Sequence, residues 1–391
     1  MCKLSVESGM TSARLKLVER DNFAITLLVI LSFCIDLSSP IITYGVQFVL
    51  VFVLAFYTIF ARESPSIPRG NFVLFFILII TVTVFTLYQH TYLEHQELLF
   101  LQYFRVLLWM ACGFLFYAYL LSQQSATIAR ALMVTILITG GALYIQYLVY
   151  YAFGYVIDYS LLLGGSASRI FFLTFRPSGF TAEPAVYSGI MIGLLSVYYM
   201  FVRRLNMIVI FGLISVVLTS SIAGLMMSVL YVLVVFFSRP SLGRIVISIA
   251  ALFIIIGLFF PVIQERYVTT VSGSDASNNT KFETVINMYE HSNLLLSGYG
   301  FVGKSDSAPS FYEGLYDMTF FGATIITFGL PLGLCICFFV VYIILTQPAD
   351  GKILILVSLI KLSSPMCMFF NLFVALVFVV RYKARLNILS V

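Results

Sequence analysis

Long apolar runs with almost no charge recur along this chain, and they constrain its fold more than any other feature. A helix that crosses a membrane needs about 20 mostly apolar residues, and runs of this kind follow one another through most of the sequence. Only 10% of the 391 residues are charged, whereas about a quarter are charged in a soluble domain. A soluble fold of this size could not hide so much apolar surface. The sequence therefore predicts an all-α, polytopic membrane helix bundle.

We divide the apolar sequence into about twelve transmembrane helices, which form one integral membrane domain over residues 1–391. Thr219, Ser220 and Ser221 predict a tight turn between two short spans, and one long tilted helix is the alternative there. Lys361 and Pro365 divide the final apolar stretch. The predicted spans are Phe23–Leu37, Ile41–Phe60, Phe72–Tyr88, Leu98–Leu121, Ile128–Phe153, Tyr187–Phe201, Met207–Thr219, Ile222–Phe237, Ile245–Phe260, Phe320–Leu345 and two crossings within Ile353–Val380.

The basic residues orient these spans, because cytoplasmic loops hold most of the Lys and Arg of a membrane protein. With the N-terminus in the cytoplasm, 15 of the 22 lysines and arginines fall on the cytoplasmic side. The C-terminal cluster Arg381, Lys383 and Arg385 also stays there. Two long polar loops, residues 154–186 and 261–319, then lie on the outer side of the membrane. Loops far longer than the usual length of about 4–6 residues are functional or disordered, so we look for function here.

The first long loop contains the sequence RPSGFTAEP. Pro177 and Gly179 predict a turn, and Pro184 predicts the start of the next helix. Arg176 and Glu183 are thereby held near the membrane surface on either side of the turn. The guanidinium of Arg176 suits a substrate phosphate, and pairing with lipid phosphate or with Glu183 is the alternative. Glu183 is either a proton acceptor or a partner of the helix dipole.

The second long loop contains an amphipathic segment and a group of glycines. Thr280 and Glu283 have the spacing of a helix capping box, and the apolar residues at 282, 285, 286 and 289 recur at helical spacing. This pattern predicts a short helix on the outer membrane surface. In the following SGYGFVG, Gly298 and Gly300 permit a close approach of the backbone to a ligand. His291, between the two features, is either solvated or a proton acceptor.

The cationic residues near the predicted outer face could bind an anion together. Charge within a membrane is costly, so Arg105, inside a span, is expected to face a polar cavity. Convergence of these residues predicts an anionic, membrane-embedded ligand. The three histidines are scattered and have no cysteine partners, so neither a metal site nor another cofactor is expected. The candidate anion-binding residues are Arg105, Arg169, Arg176, Arg266 and Lys281.

The arrangement of spans, the RPSGFTAEP motif and the G-x-G element before GATIITFGLPLG resemble the Wzy-type polysaccharide polymerases of bacterial envelopes, which are related to O-antigen ligases. The segment LTSSIAGLMMSVL is similar to a serine-containing segment of that family. The resemblance implies an inner-membrane glycosyltransferase that moves a growing glycan from undecaprenyl diphosphate to a lipid-linked repeat unit. It implies lipid-linked oligosaccharides, the bilayer and a chain-length regulator of the membrane as partners, and no nucleic acid, nucleotide sugar or metal.

The resemblance also implies roles for the loop residues and leaves alternatives. Arg176 and a cationic neighbour would stabilise the departing diphosphate, and Glu183 or His291 would accept the proton of the sugar hydroxyl. Ligases carry a histidine after the G-x-G element, where this chain has Asp317 in GLYDMTF, so a ligase is the second hypothesis. A lipid-linked oligosaccharide transporter or flippase is the third. Transporters place ionisable residues near mid-membrane and often carry repeats or broken helices, whereas most cations here lie in loops and no repeat is visible.

Overall fold

The structure, a computed structural model, describes residues 22–36, 67–92, 96–159, 175–237, 276–302, 309–362 and 365–386, together with eight isolated positions. Regular structure in these ranges is helical, and an isolated parallel bridge joins Asp36 to Thr181. The 3-10 helix Ser310–Tyr316 precedes α10. The α-helices of the described ranges are α1 (Asn22–Phe33), α2 (Arg69–Gln89), α3 (Gln96–Ser122), α4 (Ser125–Phe153), α5 (Pro184–Val202), α6 (Met207–Leu218), α7 (Ile222–Phe237), α8 (Ala276–Glu290), α9 (Ser292–Ser297), α10 (Phe320–Leu345), α11 (Ala349–Ser358) and α12 (Met368–Arg385).

The exposed surface of the helices is apolar, as a lipid environment requires. Among the helices of the described ranges, five are long and apolar enough to cross a membrane, namely α2, α3, α4, α5 and α10. Helix α2 exposes large side chains such as Phe72, Ile77 and Ile80, which water would not tolerate as a continuous patch. Helices α1, α6 and α7 are shorter but also apolar. The chain is a helical membrane protein.

Helices occupy ten of the predicted spans, and the other two, Ile41–Phe60 and Ile245–Phe260, lie almost wholly outside the described residues. The predicted division between α6 and α7 is confirmed, because α6 ends at Leu218 and α7 begins at Ile222. Ser220 turns the chain between them with a left-handed φ of 51°. The final apolar stretch divides into α11 and α12. At about 1.5 Å per residue, the ten residues of α11 are too short to cross a bilayer alone.

Contacts between helix ends define two ends of the bundle. At the first end, the amide of Phe320, which starts α10, donates to the carbonyl of Leu359 just after α11. At the second end, Lys383 near the end of α12 donates to the carbonyl of Gln123 just after α3, at 2.6 Å. The start of α5 and the ends of α2 and α4 belong to the first end, and the start of α2 belongs to the second.

Helix α5 is the centre of the bundle, with 16 buried residues among its 19. Small residues let neighbouring helices approach closely, as is usual between helices in membranes: Gly193 contacts Phe369 of α12, and Gly224 of α7 contacts Ser188. Hydroxyl groups link α5 to its neighbours, as between Tyr187 Oη and Ser215 Oγ at 2.8 Å. The start of α5 is therefore held from several sides.

Helix α10 is broken at Gly329, whereas the sequence predicts one uninterrupted span over Phe320–Leu345. Gly329 has φ 75° and ψ 169°, and Pro331 follows, so the helical hydrogen bonds cannot continue. The freed carbonyls of Ile326 and Thr327 accept from the amides of Tyr299 and Gly300, both at 2.9 Å. Part of the second loop thus enters the bundle and supplies hydrogen-bond donors to the carbonyls at the break. Irregular backbone is tolerated at membrane depth when its polar groups are paired in this way.

The glycines of the G-x-G element make this insertion possible. Gly298 and Gly300 have φ values of 72° and 71°, and a Cβ atom on Gly298 would overlap the backbone of Gly329 and Thr327. Gln89 at the end of α2 donates to the carbonyls of Ser297, at 2.6 Å, and Thr327, at 2.8 Å. The predicted close approach of these glycines is therefore made to the protein's own backbone and not to a ligand.

The predicted amphipathic helix is present as α8, but its predicted start is wrong. Because α8 begins at Ala276, Thr280 lies inside the helix and is not its cap. Thr284 and Met288 are buried, and the Thr284 hydroxyl lies 2.6 Å from the carbonyl of Phe311. The predicted apolar stripe is exposed on another face of α8, and it consists of Phe282, Val285, Ile286 and Tyr289.

Candidate functional site

The turn after Arg176 is held by a glutamine inside the bundle. Gly179 has a left-handed φ of 57°, and the amides of Ser178 and Gly179 donate to Gln146 Oε1 at 3.2 and 2.8 Å. The Nε2 of Gln146 donates in turn to the carbonyl of Ile157 at 3.0 Å. The predicted turn is confirmed, and its anchor was missed from the sequence. A glutamine in the apolar α4 is the signal that could have identified it.

A second chain segment joins this turn. Helix α1 ends at Phe33, earlier than predicted, because the chain leaves the helix to pair with the loop backbone. The amide of Asp36 donates to the carbonyl of Phe180 at 3.1 Å, and the amide of Ala182 donates to the carbonyl of Asp36 at 2.8 Å. This pairing brings the carboxyl of Asp36 to that of Glu183, 147 positions later in the sequence. We call these two carboxyls the carboxyl pair.

The carboxyl pair has an unusual electrostatic environment. Glu183 has extended backbone angles at the start of α5, and its side chain makes no capping hydrogen bond. Burial, and then the negative charge of Glu183, raises the pKa of Asp36 to about 6. A carboxyl with such a pKa exchanges a proton near neutral pH, which is the property of a general base or acid.

A small cavity of about 50 Å³ borders Asp36 of the carboxyl pair, and Trp109 and Cys367 also line it. Arg105 lies against the same tryptophan, with its guanidinium carbon 5.7 Å from the ring centroid. Arg105 was predicted to face a polar cavity, and it is not among the residues that line this one. Arg176 is half-buried, and the ring of Phe175 before it stacks on Tyr150 at 4.4 Å. The stacking fixes the chain immediately before Arg176.

A second charged group at the first end consists of Lys281, Asp317 and Lys361, which we call the lysine cluster. Lys281 Nζ lies 2.7 Å from one carboxylate oxygen of Asp317, and Lys361 Nζ donates to the other. The cluster therefore carries two positive charges and one negative charge. Lys361 was missed as a site residue because a lysine at the end of an apolar stretch is often an interfacial lysine.

Helix α5 connects the two groups. A Cβ atom on Gly189 would lie 3.2 Å from the Cβ of Lys361. The aliphatic part of the Lys361 side chain therefore packs against α5 at this glycine. Gly189 follows Glu183 by six residues, which is about 9 Å along a helix. The lysine cluster and the carboxyl pair thus lie against one helix at the same end of the bundle. Together they can accept a proton and bind an anion.

The structure brings some predicted site residues together and not others. Arg176, Gly179 and Glu183 share the anchored loop, and Lys281 reaches the same end through Asp317. His291 is exposed, with Nδ1 2.9 Å from the carbonyl of Asn287, and the described contacts do not join it to the carboxyl pair or the lysine cluster. Arg169 and Arg266 lie outside the described residues.

Comparisons of the chain with protein-family models, with curated proteins and with solved structures found no match.

Proposed function

We propose that this protein is a polysaccharide polymerase that joins lipid-linked oligosaccharide repeat units by glycosyl transfer from a lipid diphosphate. The observation that carries the proposal is the presence of the carboxyl pair and the lysine cluster on one helix, α5, at one end of an apolar bundle. A diphosphate on a lipid requires cations at the membrane surface, and a sugar hydroxyl requires a proton acceptor. The resemblance of the RPSGFTAEP loop to Wzy-type polymerases supports the same activity.

The proposed reaction assigns a role to each group. The acceptor hydroxyl oxygen attacks the anomeric carbon of the donor glycan, the bond from that carbon to the phosphate oxygen breaks, and the diphosphate leaves with the electron pair. Glu183, beside Asp36, accepts the hydroxyl proton and passes it to solvent. Arg176, Lys281 and Lys361 stabilise the charge that develops on the leaving diphosphate. His291 is not assigned a step, because it is exposed and its Nδ1 contacts the carbonyl of Asn287 in α8.

We further propose that the first end faces the periplasm of a bacterium and that about twelve helices cross its inner membrane. The charge distribution supports this orientation, because cytoplasmic segments are rich in Lys and Arg. Basic residues described at the second end are Arg69, Arg130, Arg203, Arg204, Lys352, Arg381, Lys383 and Arg385. Acidic residues described at the first end are Asp36, Asp158, Glu183, Glu283, Glu290 and Asp317.

Replacing Arg176 with alanine is expected to abolish long glycan, because the leaving diphosphate loses a charge-assisted partner that contributes about 10²- to 10³-fold in such sites. Arg176→Lys keeps the charge but loses the planar fork, so we expect only partial recovery. The measurement is the ladder formed by purified protein from a lipid diphosphate oligosaccharide. Exposed Arg204→Ala at the second end is the control. An Arg176→Ala ladder like that of the parent would remove Arg176 from the mechanism.

A reporter fused after Arg385 is expected to report the cytoplasm. The reason is the basic residues in the last turn of α12, which resist export. Paired alkaline phosphatase and green fluorescent protein fusions measure the side, and a fusion after Gly154, at the opposite end of the bundle, is the matched control. Phosphatase activity after Arg385 would contradict the proposed orientation.

The exposed stripe of α8 is expected to lie on the outer membrane surface, because its four large apolar side chains need cover from water. Trp109 is the only tryptophan, so a Trp109→Phe background allows one probe to be placed at a time. Brominated lipid should quench Phe282→Trp strongly and Glu283→Trp, off the stripe, weakly. Equal quenching at the two positions would show that the stripe does not face lipid.

One observation favours a second function, a lipid-linked oligosaccharide transporter or flippase. Broken helices are frequent in transporters, and α10 is broken at Gly329. The described carbonyls at this break are occupied by the protein's own amides, which argues for a structural use. The ladder assay separates the functions: repeated transfer indicates the polymerase, a single transfer product a ligase, and movement of the glycan lipid without a covalent product the transporter.

A further inference from the structure

A cavity at the second end, remote from the carboxyl pair, is lined by basic and apolar residues. It lies between the start of α2 and the end of α12 and has a volume of about 260 Å³. A water molecule takes about 30 Å³ of liquid, so the cavity has room for a phosphate group and several waters. The residues that matter for its chemistry are Asn71, Phe378, Arg381, Tyr382, Arg385 and Leu386.

The positive charge of this cavity comes from one helix face. Arg381 and Arg385 are four residues apart in the last turns of α12, so their guanidinium groups are neighbours. Two like charges at this spacing destabilise a helix slightly unless an anion lies between them. The Nε atom of Arg381 is buried and has no hydrogen-bond partner. A buried donor of a charged group without an acceptor costs free energy, and an anion in the cavity beside the same guanidinium would offset that cost.

The other basic residue of this segment does not contribute. Lys383 is 5% exposed, and its ammonium group donates to the carbonyl of Gln123. It ties α12 to α3, whereas Arg381 and Arg385 line the cavity. Lys383 thus has a structural role, whereas Arg381 and Arg385 are the two cations of this segment that a ligand in the cavity can reach.

The remaining walls indicate which anion the cavity suits. Asn71 donates to the hydroxyl of Tyr117 at 2.5 Å, and the ring of Phe378 meets Tyr117 edge-on at 6.2 Å, so this wall is rigid. Phe378 and Leu386 add apolar surface beside the arginines. A small soluble anion would gain nothing from that surface, whereas the glycerol and first acyl methylenes of a lipid would be covered by it.

We propose that this cavity binds the phosphate group of an anionic phospholipid from the leaflet at the second end. Arg381 and Arg385 hold the phosphate oxygens, and Phe378, on the bilayer side of both arginines, contacts the apolar part below the head group. The site is independent of the proposed glycosyl transfer, since none of its residues belongs to the carboxyl pair or the lysine cluster.

Native mass spectrometry of the purified full chain tests the proposal, with phosphatidylglycerol and phosphatidylcholine as probes. The parent should retain phosphatidylglycerol and release phosphatidylcholine. The double variant Arg381→Gln, Arg385→Gln should retain at least about tenfold less phosphatidylglycerol, because one charge-assisted hydrogen bond corresponds to about this factor. Exposed Arg204→Gln, at the same end, should retain as much as the parent. Equal retention by parent and double variant, or equal retention of both lipids, would overturn the proposal.

Two further arms keep the test decisive. Excess inorganic phosphate should not displace phosphatidylglycerol from the parent, and displacement would assign the cavity to a soluble anion instead. A photoactivatable phosphatidylglycerol, used on the unmodified protein, should cross-link within residues 68–71 or 378–386, the two walls of the cavity, even if the double variant fails to fold. Cross-links confined to other segments would exclude the site.

Discussion

Glu183→Gln is expected to lower the turnover of glycan transfer by about 10²- to 10⁴-fold, the usual contribution of a general base. The amide has nearly the shape of the carboxylate but cannot accept the hydroxyl proton, so the lipid-linked donor should still bind. Single-turnover transfer and donor binding, measured separately on the purified protein, distinguish the two effects. Exposed Glu290→Gln, another carboxylate of the first end, should leave both unchanged. Unchanged turnover in Glu183→Gln would exclude Glu183 as the general base and leave it only a structural role at the start of α5.

The pH dependence of the carboxyl pair supplies a readout that does not need activity. Asp36 has a pKa of about 6, so its carboxylic acid infrared band should disappear as the pH rises through this value and should be absent in Asp36→Asn. Glu183→Gln removes the smaller of the two causes of the raised pKa, so the transition should move to lower pH while burial keeps it above the ordinary value. An unchanged transition would mean that the two carboxyls do not interact.

The raised pKa of Asp36 also predicts that Asp36→Asn stabilises the protein although it slows glycan transfer. The pKa of Asp36 is raised from 3.8 to about 6 in the folded protein, so the free energy of unfolding falls as the pH rises between these two values and stays low above them. Asp36→Asn should therefore raise the melting temperature at pH 8 more than at pH 5, while it slows transfer. Such a trade is typical of a site under functional constraint. A lower melting temperature at pH 8 would contradict this account.

Gly298→Ala is expected to prevent assembly of the protein rather than to alter its kinetics. The left-handed φ of 72° is costly for alanine. The new methyl group would also overlap backbone atoms of Gly329 and Thr327, which cannot move aside as the end of a flexible side chain can. The combined strain exceeds the usual cost of a point mutation. The measurement is the monodisperse fraction after detergent extraction, with the melting temperature of whatever remains.

Gly141→Ala is the matched control for that experiment. It introduces the same methyl group, but into a helix and into open space, because nothing lies within 4 Å of its Cβ position. Alanine also favours helix relative to glycine, so a melting temperature equal to or slightly above that of the parent is expected. A Gly298→Ala protein as stable as the Gly141→Ala protein would show that the inserted loop does not pack as described.

The sequence contained enough information for the placement of most helices, since this depends on local composition. The division of α6 from α7 and of α11 from α12 followed from the requirement that basic residues stay on one side. The break in α10 was missed although Gly329 and Pro331 stand there together, because the mean apolarity of a long run hardly changes with two residues. The start of α8 was placed wrongly because a capping box at Thr280 and Glu283 also occurs inside helices.

Only part of the candidate site could be predicted, because its key pairings are not local. The turn between Arg176 and Glu183 is encoded by a nearby proline and glycine. Asp36 meets Glu183 only through backbone pairing of segments far apart in the chain, and no spacing rule reports such a meeting. The same is true of Lys361, which reaches Asp317 from 44 residues later. Non-local contacts of charged groups need the three-dimensional packing of the helices.

The two hydrogen bonds of Gln89 also constrain the order in which the helices assemble during synthesis. Their acceptors are separated from Gln89 by 208 and 238 residues, so the ribosome must add most of the remaining chain before this amide meets either carbonyl. Until then Gln89 sits at the tip of a lipid-facing hairpin and depends on head groups or water. The early helices therefore enter the bilayer before Gln89 has its two partners, and these hydrogen bonds form only after the last third of the polypeptide has been inserted.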